Sequence, residues 1–127
     1  MRLRIVVAED NPEFLKEFVS VLSGEFEIVA TAADGRAALE CIARCQPDVV
    51  VMDLEMPVLN GIEVTRALRE DPPKPAVVIC SVETDPEIVD AAREAGALGY
   101  VFKPRIATDL IKAVKGAGRG ESFVSPS

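Results

Sequence analysis

Residues 49–52, Val-Val-Val-Met, form an apolar run with no polar alternation, and Asp53 follows at once. Such a run suits a strand buried on both faces in the middle of a parallel sheet. A carboxylate at its end has left the core yet cannot move far, because the backbone behind it is fixed, and that is a good place for a nucleophile. Pro57 and Asn60-Gly61 then break the extended pattern, and Ile62, Thr65 and Leu68 resume at helical spacing. Glu63 stands three residues after Asn60, the spacing of a capping box. The stretch reads as strand, exposed acid, loop, helix.

The same grammar recurs along the chain. Residues 3–8 are a short β-branched run ending in Glu9-Asp10. Asn11 then caps a helix with Pro12 at its first position, and Phe14, Leu15, Phe18, Val19 and Leu22 share one face. Residues 26–32 read as a second, more interrupted strand, placed at an edge, before Asp34-Gly35 opens a helix with Ala38, Leu39 and Ile42 inward. The cluster Pro72-Pro73-Lys74-Pro75 predicts a rigid surface loop ahead of a strand over 76–80, which ends in Ser81. Asp85-Pro86 starts a helix with Ile88, Val89, Ala92 and Ala95 as its stripe and Gly96 at its end. A fifth strand over 98–102 closes in Lys103-Pro104, and a last helix carries Leu110, Ile111 and Val114 before Gly116, Gly118 and Gly120. Ile106 supplies no side-chain cap for that helix.

Strands alternating with helices of this length imply one parallel sheet covered on both faces through right-handed crossovers. The expected fold is α/β, doubly wound and flavodoxin-like, (βα)5, with a five-stranded sheet of order 2-1-3-4-5. Ligands in such sheets sit beyond the carboxyl ends of the strands where the order reverses, here between the strands ending in Glu9-Asp10 and Asp53.

Composition narrows the chemistry. A chain of 127 residues, 49% apolar, fits one domain with one core, and its apolar runs are far shorter than the ~20 residues a membrane span needs. Arg2 and Arg4 precede only a short apolar run, so no secretory signal is read and a cytoplasmic location is expected. A formal charge of −7 without a basic cluster gives no attraction to DNA or anionic lipid. With no His, Cys41, Cys45 and Cys80 are expected to be thiols in a reducing compartment, and the chemistry must run on carboxylates, hydroxyls, Lys or a metal.

Collected from the strand ends, Glu9, Asp10 and Asp53, with Ser81 and Lys103, should share one small pocket. Three carboxylates so close repel one another unless something positive sits among them. A hard divalent cation such as Mg²⁺, which takes one or two protein carboxylates and keeps several waters, meets that need. Asp10 and Asp53 are the expected direct ligands, with Glu9 reaching through water. Lys103 and the metal would neutralise phosphoryl oxygens while Asp53 attacks phosphorus, leaving an aspartyl phosphate to which Ser81 donates a hydrogen bond. Taken singly, each residue also has a plainer reading: polar strand ends, a turn serine, a solvated lysine.

At these spacings the residues resemble the receiver domains of bacterial two-component response regulators. The likeness covers almost the whole chain and rests on Glu9-Asp10, on Asp53 with Met56-Pro57 and Gly61, on Ser81, on Tyr100, and on Lys103-Pro104. It implies that Asp53 accepts phosphate from a histidine kinase, that the backbone carbonyl of Glu55 joins Asp10 and Asp53 around Mg²⁺, and that Ser81 and Tyr100 are a switch pair, Tyr100 turning inward when Ser81 engages the phosphoryl group. The residues alone leave Tyr100 readable as a half-buried core aromatic with a wet hydroxyl. Two positions depart from the pattern: Glu9 where Asp is commoner, and Val82 where Ala or Gly is often found. Glu55 and Glu83 flank the place of a hydrolytic water and are expected to set the lifetime of the phosphorylated state.

The segment 120–127 resembles the passage of LuxR/NarL-type transcriptional regulators into their linker, so residues 1–119 are expected to form the receiver and 120–127 a linker or tail. DNA would then be bound only by a further C-terminal domain, and phosphorylation would alter self-association through the fourth helix, fifth strand and last helix. Other classes fit less well. A haloacid-dehalogenase-like phosphohydrolase would want Asp and then Thr or Val where Glu55 and Pro57 stand, and a flavodoxin-like FMN carrier would want a Gly-rich loop in place of Glu9-Asp10. A receiver-like module that is never phosphorylated remains a reading of Glu9 and Val82.

Overall fold

The computed structural model describes residues 2–70 and 74–126. Its elements follow the expected alternation: β1 (Arg4–Ala8), α1 (Pro12–Leu22), β2 (Glu27–Ala32), α2 (Gly35–Cys45), β3 (Val49–Asp53), α3 (Gly61–Leu68), β4 (Ala76–Ser81), α4 (Pro86–Ala95), β5 (Gly99–Phe102), a 3₁₀ turn (Lys103–Arg105), α5 (Ile106–Gly118) and β6 (Phe123–Val124). All strand pairs are parallel, in the order β2-β1-β3-β4-β5-β6. This is the flavodoxin-like α/β fold expected, with β2 at one edge. The count of five strands is corrected to six: a two-residue strand is too short to show a period of two, and Phe123-Val124 pairs only because β5 leaves a free edge beside it. Pro72 and Pro73 of the proline loop lie outside the described residues, as does Ser127.

The period-2 alternation of the strands divides the core. Val6, Ala8, Val50, Met52, Val77, Ile79 and Tyr100 face one layer, with Ala38 and Ile42 of α2, Val64 of α3 and Val89 and Ala92 of α4. Ile5, Val7, Val49, Val51, Val78, Cys80 and Val101 face the other, with Phe18 and Leu22 of α1 and Leu110, Ala113 and Val114 of α5. Each fully buried Val or Ile contributes about 1.5–3 kcal/mol relative to exposure, so the three central strands anchor everything at their ends.

The caps are largely those the sequence announces. Asn11 Oδ1 accepts from Glu13 N (2.9 Å) and Phe14 N (3.2 Å), and Asp34 Oδ1 accepts from Ala37 N (2.8 Å). Asn60 and Glu63 form the reciprocal capping box, at 2.8 and 2.9 Å. Without a side-chain cap, α5 is entered through the 3₁₀ turn.

Candidate functional site

Asp53 ends β3 and is 6% exposed. Its position depends on the loop that follows. Gly61 N donates to Leu54 O (2.7 Å), and a Cβ at Gly61 would meet Asp53 O at 2.6 Å, so α3 can begin this close to the strand only with glycine there. Across the loop, Leu59 N donates to Pro57 O (2.9 Å) around Val58, whose φ is 73°. A three-residue turn with positive φ at a β-branched residue is strained. It is held from outside: Pro57 O also accepts from Gly35 N (3.2 Å), and a Cβ at Gly35 would meet Leu59 O at 2.1 Å. The N-terminus of α2 thus clamps the loop that carries Glu55.

Lys103 follows β5 and is 9% exposed. Its Nζ lies 3.3 Å from Asp53 Oδ1 and 2.8 Å from Glu9 Oε1, although Glu9 Oε1 accepts no aligned hydrogen bond, so that contact is charge on charge. Glu9 Oε2 accepts from Asn11 N at 3.0 Å. The Nζ also stands 4.0 Å from the centroid of the Phe14 ring. Glu9, Asp10 and Asp53 each bring an oxygen within 4.8 Å of the others. Glu9 and Asp53 are buried and Asp10 is exposed.

Magnitudes show how the charges balance. At an effective dielectric constant of about 20, opposite unit charges 3.3 Å apart attract by about 5 kcal/mol and like charges 4.8 Å apart repel by about 3.5 kcal/mol. One ammonium therefore offsets little more than one acid, and burial tips the rest. Burial pushes both Asp53 and Glu9 above the usual carboxylate range, against the pull of Lys103. Burial alone would depress Lys103, but the Glu9 and Asp53 carboxylates hold it above its ordinary value. A set of hard oxygen donors, short of positive charge and with one buried oxygen lacking an aligned donor, suits a divalent cation.

These groups line a cleft of about 620 Å³ with Asn11, Glu55, Met56, Pro57, Asn60 and Val82. The structure thus brings together Glu9, Asp10, Asp53, Glu55 and Lys103. Ser81 is set apart from the lining: buried at the end of β4, its Oγ accepts from Glu83 N (3.0 Å). Val82 is 66% exposed at the rim. Tyr100 differs from the half-buried reading. It is fully buried and donates its hydroxyl to Glu83 O (2.9 Å), and burial raises its pKa above the ordinary phenol value. The cause is its register: Tyr100 pairs with Ile79 in the sheet interior, and the β4–α4 loop folds over its hydroxyl. Phe14 was legible only as part of a helix face; its spacing gives no sign of Lys103.

A second cleft, about 680 Å³, opens between the C-terminal ends of α2 and α3, lined among others by Ile42, Gln46, Asp48, Leu68 and Lys74. It gathers no cluster of acids, and the three cysteines are free thiols. Among the described residues no helix is long and apolar enough to cross a membrane.

Residues 5–115 match the family described as response regulator receiver domain. The chain is 35% identical over 127 residues to the transcriptional regulatory protein DegU of Brevibacillus brevis, covering 98% of this chain and 54% of that protein. It is 37% identical to the transcriptional regulatory protein NarL of Mycobacterium tuberculosis, covering 99% and 59%. It therefore spans little more than half the length of these relatives. The solved signal receiver domain of the M. tuberculosis NarL superposes with a TM-score of 0.91 at 36% identity, over 94% of this chain and 98% of that one. A LuxR-family two-component response regulator from Aurantimonas sp. SI85-9A1 gives 0.93 at 30% identity, over 99% and 91%. Sequence, fold and the acid-lysine cleft agree, and the chain belongs to the response regulator receiver domain family, among receivers of the NarL/LuxR type.

Proposed function

We propose that this receiver takes a phosphoryl group from a histidine kinase onto Asp53 and that the acyl phosphate resets its surfaces to control transcription. The observation that carries the reading is the Lys103 ammonium 3.3 Å from Asp53 Oδ1 on the wall of an open acidic cleft. An Asp53 oxygen attacks phosphorus, the bond from phosphorus to the donor's imidazole nitrogen breaks, and the imidazole leaves. Lys103 neutralises the phosphoryl oxygens, the positioning and charge balance on which such transfers depend. Asp10, Asp53 and the backbone carbonyl of Glu55 would hold Mg²⁺, with Glu9 reaching through water. The metal supplies charge neutralisation and a template for the phosphoryl oxygens.

Ser81 donates to the phosphoryl group once it releases Glu83 N, and the neighbouring Tyr100 follows because its hydroxyl rests on Glu83 O. The Ser81–Tyr100 pair is thereby the switch, and Glu55 and Glu83 tune the lifetime. The chain acts as a phosphoacceptor that assists only its own phosphorylation and dephosphorylation. Residues 1–119 make up the receiver unit, and 120–127, after docking β6 on β5, lead toward a DNA-binding domain in a longer protein. Phosphorylation promotes a homodimer, and the protein works in the cytoplasm, away from the membrane.

Incubation with a small phosphodonor and Mg²⁺ tests this by intact mass: one phosphate labile to acid and base is expected, and none in Asp53→Asn. Steady turnover of a phosphate ester without a lasting adduct would instead indicate a phosphohydrolase. Complete inertness would indicate a module that is never phosphorylated.

A further inference from the structure

We propose that Phe14 is a positioning residue for Lys103, holding the ammonium at Asp53 through the face of its ring. The proposal rests on the phosphotransfer reading above and adds a residue to it. Four contacts form a closed circuit. Glu9 Oε1 lies 2.8 Å from Lys103 Nζ, and Glu9 Oε2 accepts from Asn11 N at 3.0 Å. Asn11 Oδ1 accepts from Phe14 N at 3.2 Å, and the Phe14 ring returns to Lys103, with Nζ 4.0 Å from its centroid. The ring is in turn packed against the buried Phe18, centroids 6.3 Å apart, whose own centroid is 6.0 Å from Nζ.

The chemistry of this contact differs from that of its neighbours. An aromatic face attracts a cation through its quadrupole and adds no formal charge. A further carboxylate in that place would compete with the phosphoryl group for the ammonium and deepen the local excess of negative charge. Glu9 Oε1 and Asp53 Oδ1 draw on the ammonium at 2.8 and 3.3 Å, whereas the ring face takes up none of its protons. Phe14 therefore fixes where Lys103 sits and leaves its donors free to turn toward an incoming dianion. Glu9, with one methylene more than Asp, has the reach to serve both Lys103 and the first turn of α1.

The test uses the 127-residue chain and two readouts. In NMR spectra the Lys103 ε-methylene protons should be shifted upfield by the ring current. They should move downfield in Phe14→Leu and Phe14→Met and stay upfield in Phe14→Tyr. The initial rate of adduct formation from acetyl phosphate at fixed Mg²⁺ should fall about fivefold in the Leu and Met variants and return to within about twofold in the Tyr variant. Methionine matches leucine in volume but is unbranched and flexible enough to refill the space, so it reports on the ring face even if leucine disturbs packing. Lys103 shifts that ignore the loss of the ring, or rates that stay unchanged once those shifts have moved, overturn the proposal. A wild-type chain that shows the ring shift yet takes no phosphate defeats the phosphotransfer reading itself. A wild-type chain that takes phosphate while the Leu and Met variants match its rate defeats only the role of Phe14.

Discussion

Two buried aspartates flank one short turn, and their surroundings could hardly differ more. Asp53 is 6% exposed and Asp109 2%, and the basic partners, Lys103 and Arg105, stand two residues apart in the turn after β5. Asp109 is saturated: its Oδ2 accepts from Arg105 Nε (2.7 Å) and Ser125 Oγ (2.7 Å), and its Oδ1 from Arg105 Nη2 (3.3 Å). Ser125 Oγ accepts in turn from Phe102 N (3.2 Å), and Ser125 N donates to Tyr100 O (2.9 Å). Hydrogen bonding from Arg105 holds Asp109 below the usual carboxylate range, whereas burial and crowding hold Asp53 above it. A carboxylate whose lone pairs are occupied ties structure together; one that is crowded and short of donors is ready to react or to bind a cation.

Saturating Mg²⁺, at about 100 times its Kd, should stabilise the wild-type chain to urea by about 2.7 kcal/mol. The gain should vanish in Asp53→Ala and persist in Asp109→Ala; a gain lost equally in both would erase the distinction between the two acids. Without metal, Asp109→Ala should cost about 2 kcal/mol, since Arg105 and Ser125 lose a charged partner. Asp53→Asn should instead stabilise by about 1 kcal/mol, because it removes a crowded buried charge.

The pH dependence should carry the same opposition. Asp109 is depressed, so its contribution is present above its unfolded value of 3.8 and is lost as pH falls through the lower folded value. Asp53 is raised, so between its folded value and 3.8 the native state binds the extra proton, and stability increases as pH falls. Urea midpoints of metal-free Asp109→Asn and Asp53→Asn, compared with wild type from pH 7 downward, should diverge in opposite directions. The smallest effect is expected for Ser125→Ala, about 0.5 kcal/mol, with faster amide exchange confined to residues 123–126. Slow exchange there in the variant would mean that strand pairing alone secures the tail.

What was legible in the sequence is the part governed by local rules. Asp10, Asp53 and Lys103 could be placed because a short apolar run ending in a charge locates that charge at a sheet rim. Asn60 with Glu63 could be placed because a cap is read three residues away. Three features required distant partners. The lock between Asp109 and Ser125 spans sixteen positions, and only its Arg105–Asp109 half, at i,i+4 spacing across the start of α5, left a signal. The burial of Tyr100 depends on how the β4–α4 loop closes, and the face of Phe14 on where Lys103 arrives. Cys41, Cys45 and Cys80 form no disulfide, and their spacing left no signal beyond that of small helix and strand residues.

The brevity of β6 matters for colloidal behaviour. An open strand edge is a template on which other chains can add, and β5 without its neighbour would offer four consecutive mostly apolar residues, Gly99–Phe102, for that purpose. Phe123-Val124 occupies this rim, and Pro126 just beyond carries no amide hydrogen with which to extend a ladder. Two residues and a proline thus guard the β5 rim of this sheet against fibril-like growth, and a chain trimmed back to α5 should cloud at concentrations where the longer one stays clear.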